Sequence, residues 1–320
     1  MLLWLLIRGV RYMNNTPTKH RYLIHIVVLF VTLIWSFNNI AFKIAFTYMS
    51  APLFNLLRLL IAFPLMVYLA FFSSNRVPFE KRDLFFLILI GIGGYGVFQL
   101  LFPIGLDNTS PAIGGILMAT MPIHVVILSI VFKLEKITLP IIIGVLFTLV
   151  GLTLIALFSS SKEGMLETSL TGIILVVVAE FGFALNTTFL KPYLKKYPTL
   201  QLTSFVMGVS VLFYTLVNTK NVINFDFSLI SFKIILLAVY SGIIALFGAN
   251  ILWNRAIDIL GSAKTSVYAN VPPVFVLILS MIIFKDFPHP IALLGSAIIL
   301  MGVYVVNKRD KRVIIQLPPL

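Results

Sequence analysis

Ten stretches of this chain are almost unbroken apolar runs, and its polar residues gather in the short intervals between them. The runs are Tyr22–Phe46, Ala51–Phe72, Leu84–Leu106, Ser110–Phe132, Leu139–Phe158, Leu170–Leu190, Leu200–Val217, Phe232–Trp253, Gly261–Phe284 and Pro290–Asn307. Each is close to the length of about 20 residues that a helix needs to cross the hydrocarbon core of a bilayer. The intervals carry helix breakers, as at Arg76-Val77-Pro78 and Lys285-Asp286-Phe287-Pro288. The longest polar interval, Ser159–Ser169, separates five runs from five. The pattern predicts an all-α integral membrane protein with ten transmembrane helices. A tail covers 1–21, five helices 22–158, a linker 159–169, five more helices 170–307, and a tail 308–320. No stretch reads as a separate soluble domain.

The two halves resemble each other. Sliding the sequence by 151 positions lays residues 91–151 over residues 242–302 without a gap. Gly91, Asp107, Pro122, Ser129, Gly144 and Gly151 then meet identical residues, alongside seven apolar coincidences. The apolar matches say little in so greasy a chain. The others carry the signal, because such residues set close helix contacts, breaks and ends. An odd number of spans per repeat forces the second repeat to insert upside down. That is the architecture of secondary transporters, whose substrate lies between inverted repeats near the bilayer midplane.

Composition agrees with the pattern: 60% of the 320 residues are apolar, 11% are charged, and the mean hydropathy is +1.06. The net charge of +13 is a matter of topology rather than of nucleic-acid binding, because the basic residues sit in short loops and tails. Eighteen Lys and Arg fall on the side of the N-terminus, against only Lys162, Lys220, Lys233 and Lys285 on the other. Both termini are therefore expected in the cytoplasm, with the halves in opposite orientations. Cysteine is absent, which excludes disulfides, thiolate catalysis and Cys-ligated metals. Residues Met1–Val10 are apolar but too few to span; they read either as an interfacial helix or as a stretch preceding a start at Met13.

The ends of the repeats resemble a known family. Leu33-Ile34-Trp35-Ser36-Phe37-Asn38 in the first span is similar to a Trp-Gly-Ser-Asn stretch, and Phe54-Asn55-Leu56-Leu57-Arg58 carries the matching Arg of the second. Met121-Pro122 and Phe132-Lys133-Leu134-Glu135-Lys136-Ile137-Thr138 look like a proline-broken fourth helix and its following turn. Leu252-Trp253-Asn254-Arg255-Ala256 and Val271-Pro272-Pro273-Val274-Phe275 recur in the second half. Together these identify the chain as resembling the ten-helix drug/metabolite transporter superfamily built from two EamA repeats, over about residues 22–307. It departs from that pattern at Lys133, Phe183 and Asp286. The resemblance implies a monomer or homodimer in a bacterial inner membrane. It would move small metabolites such as amino acids, their derivatives or organic compounds, often outward, by alternating access and without a cofactor.

Polar residues within the spans are the candidate site. Glu180 alone among the acidic residues lies mid-span, where a charge costs about 2.5–3.5 kcal/mol on insertion scales. It reads as a proton carrier or a ligand for a substrate amine, or else as a neutral Glu bonded between helices. Aligning the first and sixth spans at an offset of 148 pairs Asn38 with Asn186, Lys43 with Lys191 and Thr32 with Glu180. Thr32, Trp35, Asn38, Asn39 and Phe42 recur at helical spacing, forming either a cavity wall or interhelical glue. Gln99 and Asn250 form a symmetric pair, with Tyr95 and Asn254 one turn away from them, and Thr120, His124, Tyr268 and Asn270 complete the candidate binding set. His124 reads as a proton relay or a structural histidine.

Pro122, Pro272 and Pro273 either free carbonyls for a cation and act as hinges, or simply bend their helices. Arg58 either pairs with Asp107 or holds a substrate carboxylate. Glu135 and Asp286, in equivalent repeat positions next to lysines, read as gating or helix-end ion pairs.

Other function classes find no support in the residues. There is no His-Glu-x-x-His zinc motif, no Gly-x-Ser-x-Gly elbow (Gly208-Val209-Ser210 lacks its second Gly) and no phosphate-binding Gly-x-x-x-x-Gly-Lys loop. An enzyme, a metal centre or a nucleotide-driven pump is not expected. A channel is disfavoured by inverted halves with few charges in the spans. The expected partners are a small-molecule substrate, the lipid bilayer and protons.

Overall fold

The computed structural model of the chain describes residues 18–72, 76–109, 114, 117–159, 169–219, 230–284 and 288–308. Its helices are α1 (Thr18–Phe46), α2 (Ala51–Phe71), α3 (Lys81–Asp107), α4 (Met121–Val131), α5 (Leu139–Ser159), α6 (Leu170–Phe189), α7 (Thr199–Val217), α8 (Phe232–Leu260), α9 (Pro272–Phe284) and α10 (Pro290–Asn307). All but α4 and α9 are long and apolar enough to cross a membrane. Local signals explain several ends. The Ser169 hydroxyl accepts from the Gly172 N–H at 2.9 Å and caps α6, and Gly261, at φ 92°, ends α8.

The structure differs from the apolar runs in three places. α8 continues past Trp253 to Leu260, because Asn254, Ala256 and Ile257 remain buried while Arg255 and Asp258 pair at 2.5 Å on the opposite face. α4 is continuous only over Met121–Val131, and most of 110–116 lies outside the described residues. The ninth span is two pieces: Ser262–Ser266 with a 3-10 turn at Val267–Asn270, then α9. Pro122 and Pro272-Pro273 stand in the first turns of α4 and α9, where a missing N–H costs nothing. They start new helices rather than kinking old ones.

α5 and α10 cross with their glycines opposed. A side chain at Gly144 would meet the carbonyl of Gly302, and one at Gly151 the carbonyl of Gly295. Rising numbers on one helix meet falling numbers on the other, so these two helices, repeat mates at an offset of 151, run antiparallel. α3 and α6 cross in the same sense, with Gly94 against Asn186, Gly105 against Val176 and the carbonyl of Asn108 against Gly172.

The symmetry extends to a feature the periodicity does not reveal. Residues Ile90–Gly96 in α3 and Tyr240–Gly248 in α8 form wide π-helical turns, one repeat offset apart. Gly91 in the first packs against Val209 of α7, and Gly242 in the second against the carbonyl of Arg58 of α2. The Val206 carbonyl also lies against Gly91, so Val206 is the counterpart of Arg58, at the offset of 148 that relates the first and sixth spans. Wide turns of this kind rotate the side chains that follow and are frequent at functional sites.

On the side where α1 begins, here termed the N-terminal side, polar contacts tie the repeats together. Gln201 donates to the Val77 carbonyl at 2.8 Å and accepts from the Val77 N–H at 2.9 Å. Lys196 pairs with Glu80 at 2.6 Å and Asp83 at 2.7 Å, and the Tyr197 hydroxyl donates to Asp83 at 2.6 Å. Hydrogen bonds to Asp83 first, then Glu80, hold the Lys196 ammonium above the usual lysine range.

Candidate functional site

Between the repeats lies a cavity open on one side, with about 740 Å³ of empty space when the adjoining open solvent is included. α1 presents Trp35, Asn38, Asn39 and Phe42 to it; α3 presents Tyr95, Phe98, Gln99 and Phe102; α6 presents Glu180 and Phe183. Arg58 comes from α2, Ala245, Leu246 and Asn250 from α8, Met118 from the turn before α4, and Ala269 and Pro272 from the broken ninth span. The lining continues toward the far ends of α1 and α3, away from the contacts on the N-terminal side.

Arg58 is 5% exposed and held entirely by neutral partners. Its Nε donates to Asn55 Oδ1 at 2.7 Å, and its terminal nitrogens donate to Gln99 Oε1 at 2.8 Å and Ser241 Oγ at 3.4 Å. The guanidinium stacks over Phe42 at 4.6 Å, and Asn55 Nδ2 donates to the Gln99 carbonyl at 2.9 Å. Among the described residues no carboxylate lies within ion-pair distance of Arg58. Pairing with Asp107 is not made, because Asp107 ends α3 about two turns beyond Gln99. The π turns explain how Arg58 reaches both halves: Ser241 lies within one, and Gln99 follows the other.

Glu180 is 4% exposed, and no hydrogen bond or ion pair holds its carboxyl among the described residues. Among the described lining residues, Glu180 and Arg58 are the charged ones. At the offset of 148 that relates the first and sixth spans their repeat mates are Thr32 and Val206, so the charges break the symmetry that the Gln99–Asn250 pair keeps. Asn250 Nδ2 donates to the Tyr95 hydroxyl at 3.0 Å across the repeat boundary. An aromatic floor closes the cavity: Phe183 stacks on Phe98 at 4.9 Å and lies 6.2 Å from Trp35. Trp35 Nε1 donates to the Ala245 carbonyl at 3.0 Å.

Apart from Pro272, the remaining candidates lie outside the lining among the described residues. The Thr120 hydroxyl donates to the Leu117 carbonyl at 2.6 Å, and His124 packs edge-on against Phe181 at 5.5 Å. Asn254 donates to Thr203 at 2.8 Å, and Asn270 to Thr148 at 2.9 Å. The Tyr268 hydroxyl lies 2.7 Å from His25 Nδ1. Pro272 is in the lining, and its carbonyl accepts from Ser36 at 3.1 Å; Pro122 and Pro273 are outside it. Glu135 pairs with Lys191 at 2.5 Å and accepts from the Ser262 and Ala263 N–H groups at 2.6 and 3.3 Å. That cluster joins the α4–α5 turn, the end of α6 and the start of the ninth span on the N-terminal side. Asp286 lies outside the described residues.

Sequence reading did not single out Asn55 and Ser241, which complete the Arg58 cradle. Asn55 stands three residues before Arg58, a spacing that places both on one helical face. Nothing local marks Ser241, because it reaches Arg58 only through the π turn.

The comparisons bear on the same two halves. An uncharacterized transporter of Archaeoglobus fulgidus is 26% identical over 286 residues, covering 89% of this chain and 98% of its own. The uncharacterized transporter YetK of Bacillus subtilis is 26% identical over 257 residues, covering 80% and 78%. A protein named "Probable terminal-alkyne amino-acid exporter" from Streptantibioticus cattleyicolor is 24% identical over 72% of this chain and 75% of its own. A solved crystal structure shares the fold, with a TM-score of 0.68 at 19% identity over 88% of this chain and 95% of its own. The sequence profile of one family matches twice, over residues 23–157 and 170–308, either side of the linker between the crossed helix sets. On that double match the chain belongs to the EamA-like transporter family.

Proposed function

We propose that this transporter is a secondary active carrier of a small metabolite bearing both a carboxylate and an ammonium group, an amino acid or a derivative of one. It works by alternating access, and Glu180 couples transport to protons. The observation that carries the reading is the shared cavity: a buried guanidinium without a carboxylate partner and a buried carboxyl without a partner, among the described residues, line the same space. A zwitterion would supply the missing charge to each. The guanidinium suits planar carboxylate recognition, and its cradle of neutral acceptors orients it without neutralising it. Phe98, Phe102, Phe183 and Met118 offer an apolar wall for the rest of the molecule.

Outward movement is supported by the name of the Streptantibioticus relative. The charge asymmetry of the loops supports placing that side, with both termini, in the cytoplasm of a bacterial cell whose inner membrane holds the protein. Purified protein in vesicles tests the reading with a panel of labelled amino acids at varied pH. Saturable uptake with counterflow exchange, driven by a pH gradient, supports it. Unsaturated flux without exchange identifies a pore, and saturable exchange indifferent to pH identifies an uncoupled exchanger.

A further inference from the structure

We infer that a second, uncharged hydrogen-bonding subsite for the transported molecule lies about one helical turn beneath the cavity floor, on the N-terminal side, and that Trp253 plugs the passage between the two. The inference rests on the transporter reading and extends it to residues outside the cavity.

The helix register carries it. On α6, Glu180 and Phe183 line the cavity, and the next turn brings Thr187 and Thr188, both fully buried. On α8, Asn250 lines the cavity and Asn254, 2% exposed, follows one turn later. In the ninth span, Ala269 lines the cavity and Thr265, fully buried, precedes it by one turn toward the N-terminal side. These elements also touch below the floor, where the Ser262 hydroxyl donates to the Thr187 carbonyl at 2.9 Å.

Between the levels stands Trp253. It is fully buried and does not line the cavity, yet its ring lies 5.0 Å from Trp35 and stacks on Phe183 at 6.2 Å, both of which do. Polar residues that serve as interhelical glue find partners. Here Trp253 Nε1 and the hydroxyls of Thr187, Thr188 and Thr265 have none among the described residues, and Asn254, whose Nδ2 donates to Thr203, leaves its Oδ1 unmatched. An unpaired polar group is costly when buried, and most of all within a bilayer. Packing would favour apolar residues here. A passage that takes up solvent and a polar cargo in another conformation requires hydrogen-bonding ones. Thr187, Thr188, Asn254 and Thr265 offer donors and acceptors without charge, and the Glu135–Lys191 pair that borders them beside Ser262 is already matched, which suits a molecule on its way to or from the charged site.

The chain has no native cysteine, so single substitutions report directly. Thr188→Cys, Asn254→Cys and Thr265→Cys, with Val211→Cys and Ile299→Cys as equally buried apolar controls, would be treated with a membrane-impermeant methanethiosulfonate in vesicles of each orientation. Reaction from the N-terminal face at least about tenfold faster at the polar positions than at the controls is expected, since reactivity follows the population of the open form. Adding Trp253→Ala should raise the rate at Asn254→Cys further. Polar positions as inert as the controls, or reactive only from the opposite face, in variants that still catalyse counterflow would overturn the inference. Absence of counterflow in the unsubstituted protein would instead count against the transporter reading itself.

Discussion

Gly151 on α5 and Gly295 on α10 lie back to back, each facing the backbone carbonyl of the other. The neighbouring contact of Gly144 with Gly302 repeats the arrangement two turns away, so the mated helices approach backbone to backbone at both pairs, with Val306, Ile299, Ile155 and Thr148 packed around them. Small residues that admit such close approach are a recurrent means of packing helices in lipid, where the hydrophobic effect offers no help.

The first prediction concerns that crossing. Gly151→Leu forces a side chain into the Gly295 carbonyl and Ile299. A loss of about 1–3 kcal/mol is expected from overpacking, seen as a lower thermal midpoint of the detergent-solubilised protein. Gly93→Ala, where nothing lies within 4 Å of the added carbon, should be neutral by the same measurement.

Arg58→Gln removes the cavity cation while leaving a side chain able to bond Gln99 or Asn55. The half-saturation concentration for a zwitterionic substrate should rise at least about tenfold, corresponding to about 1.4 kcal/mol. Arg58→Lys should recover only part of this, since a point charge cannot reproduce the fork. Equal transport by all three proteins would remove the anion subsite.

Glu180→Gln keeps the shape of the side chain and abolishes its titration. Transport by this variant should lose its dependence on pH while expression and thermal midpoint stay close to the parent. A pH profile that survives the substitution takes Glu180 out of the coupling mechanism.

For the aromatic floor, Trp35→Ala deletes contacts with Phe183 and Trp253 and the hydrogen bond to Ala245. Transport measurements should show weaker substrate saturation. Asn39→Ala tests the same face at a position without a structural hydrogen bond in the described set. If neither substitution moves the half-saturation concentration, that face serves packing alone.

Glu135 and Lys191 separate a simple ion pair from a clamp. Glu135→Ala should destabilise the protein by about 1–2 kcal/mol more than Lys191→Met, because the carboxylate also accepts from two backbone N–H groups at the start of the ninth span. Thermal unfolding of the two variants decides it, and equal losses would reduce Glu135 to its pairing with Lys191.

Much of the architecture was legible before any coordinates. Apolar runs of spanning length specify helices because lipid leaves backbone polar groups no other partner. The repeat offset followed from Gly, Pro, Asp and Ser, whose backbone roles are local and survive drift in the apolar residues around them. Glu180 stood out by its cost. Trp35, Asn38 and Asn39 stood out because helical spacing alone puts them on one face.

Other features depend on neighbours distant in sequence, and only the tertiary structure decided them. The π turns at Ile90–Gly96 and Tyr240–Gly248 have no signature at a period of 3.6, and they determine that Arg58 meets Gln99 and Ser241 rather than Asp107. Asn254 and Tyr268 share a polar character with Asn250, yet both lie outside the cavity: Asn254 follows Trp253, which stacks under Phe183, and Tyr268 turns to His25 of α1. A side chain's place on its own helix follows from the chain. Which space that face looks into depends on how the helices cross, and here that is set by backbone contacts at a few glycines.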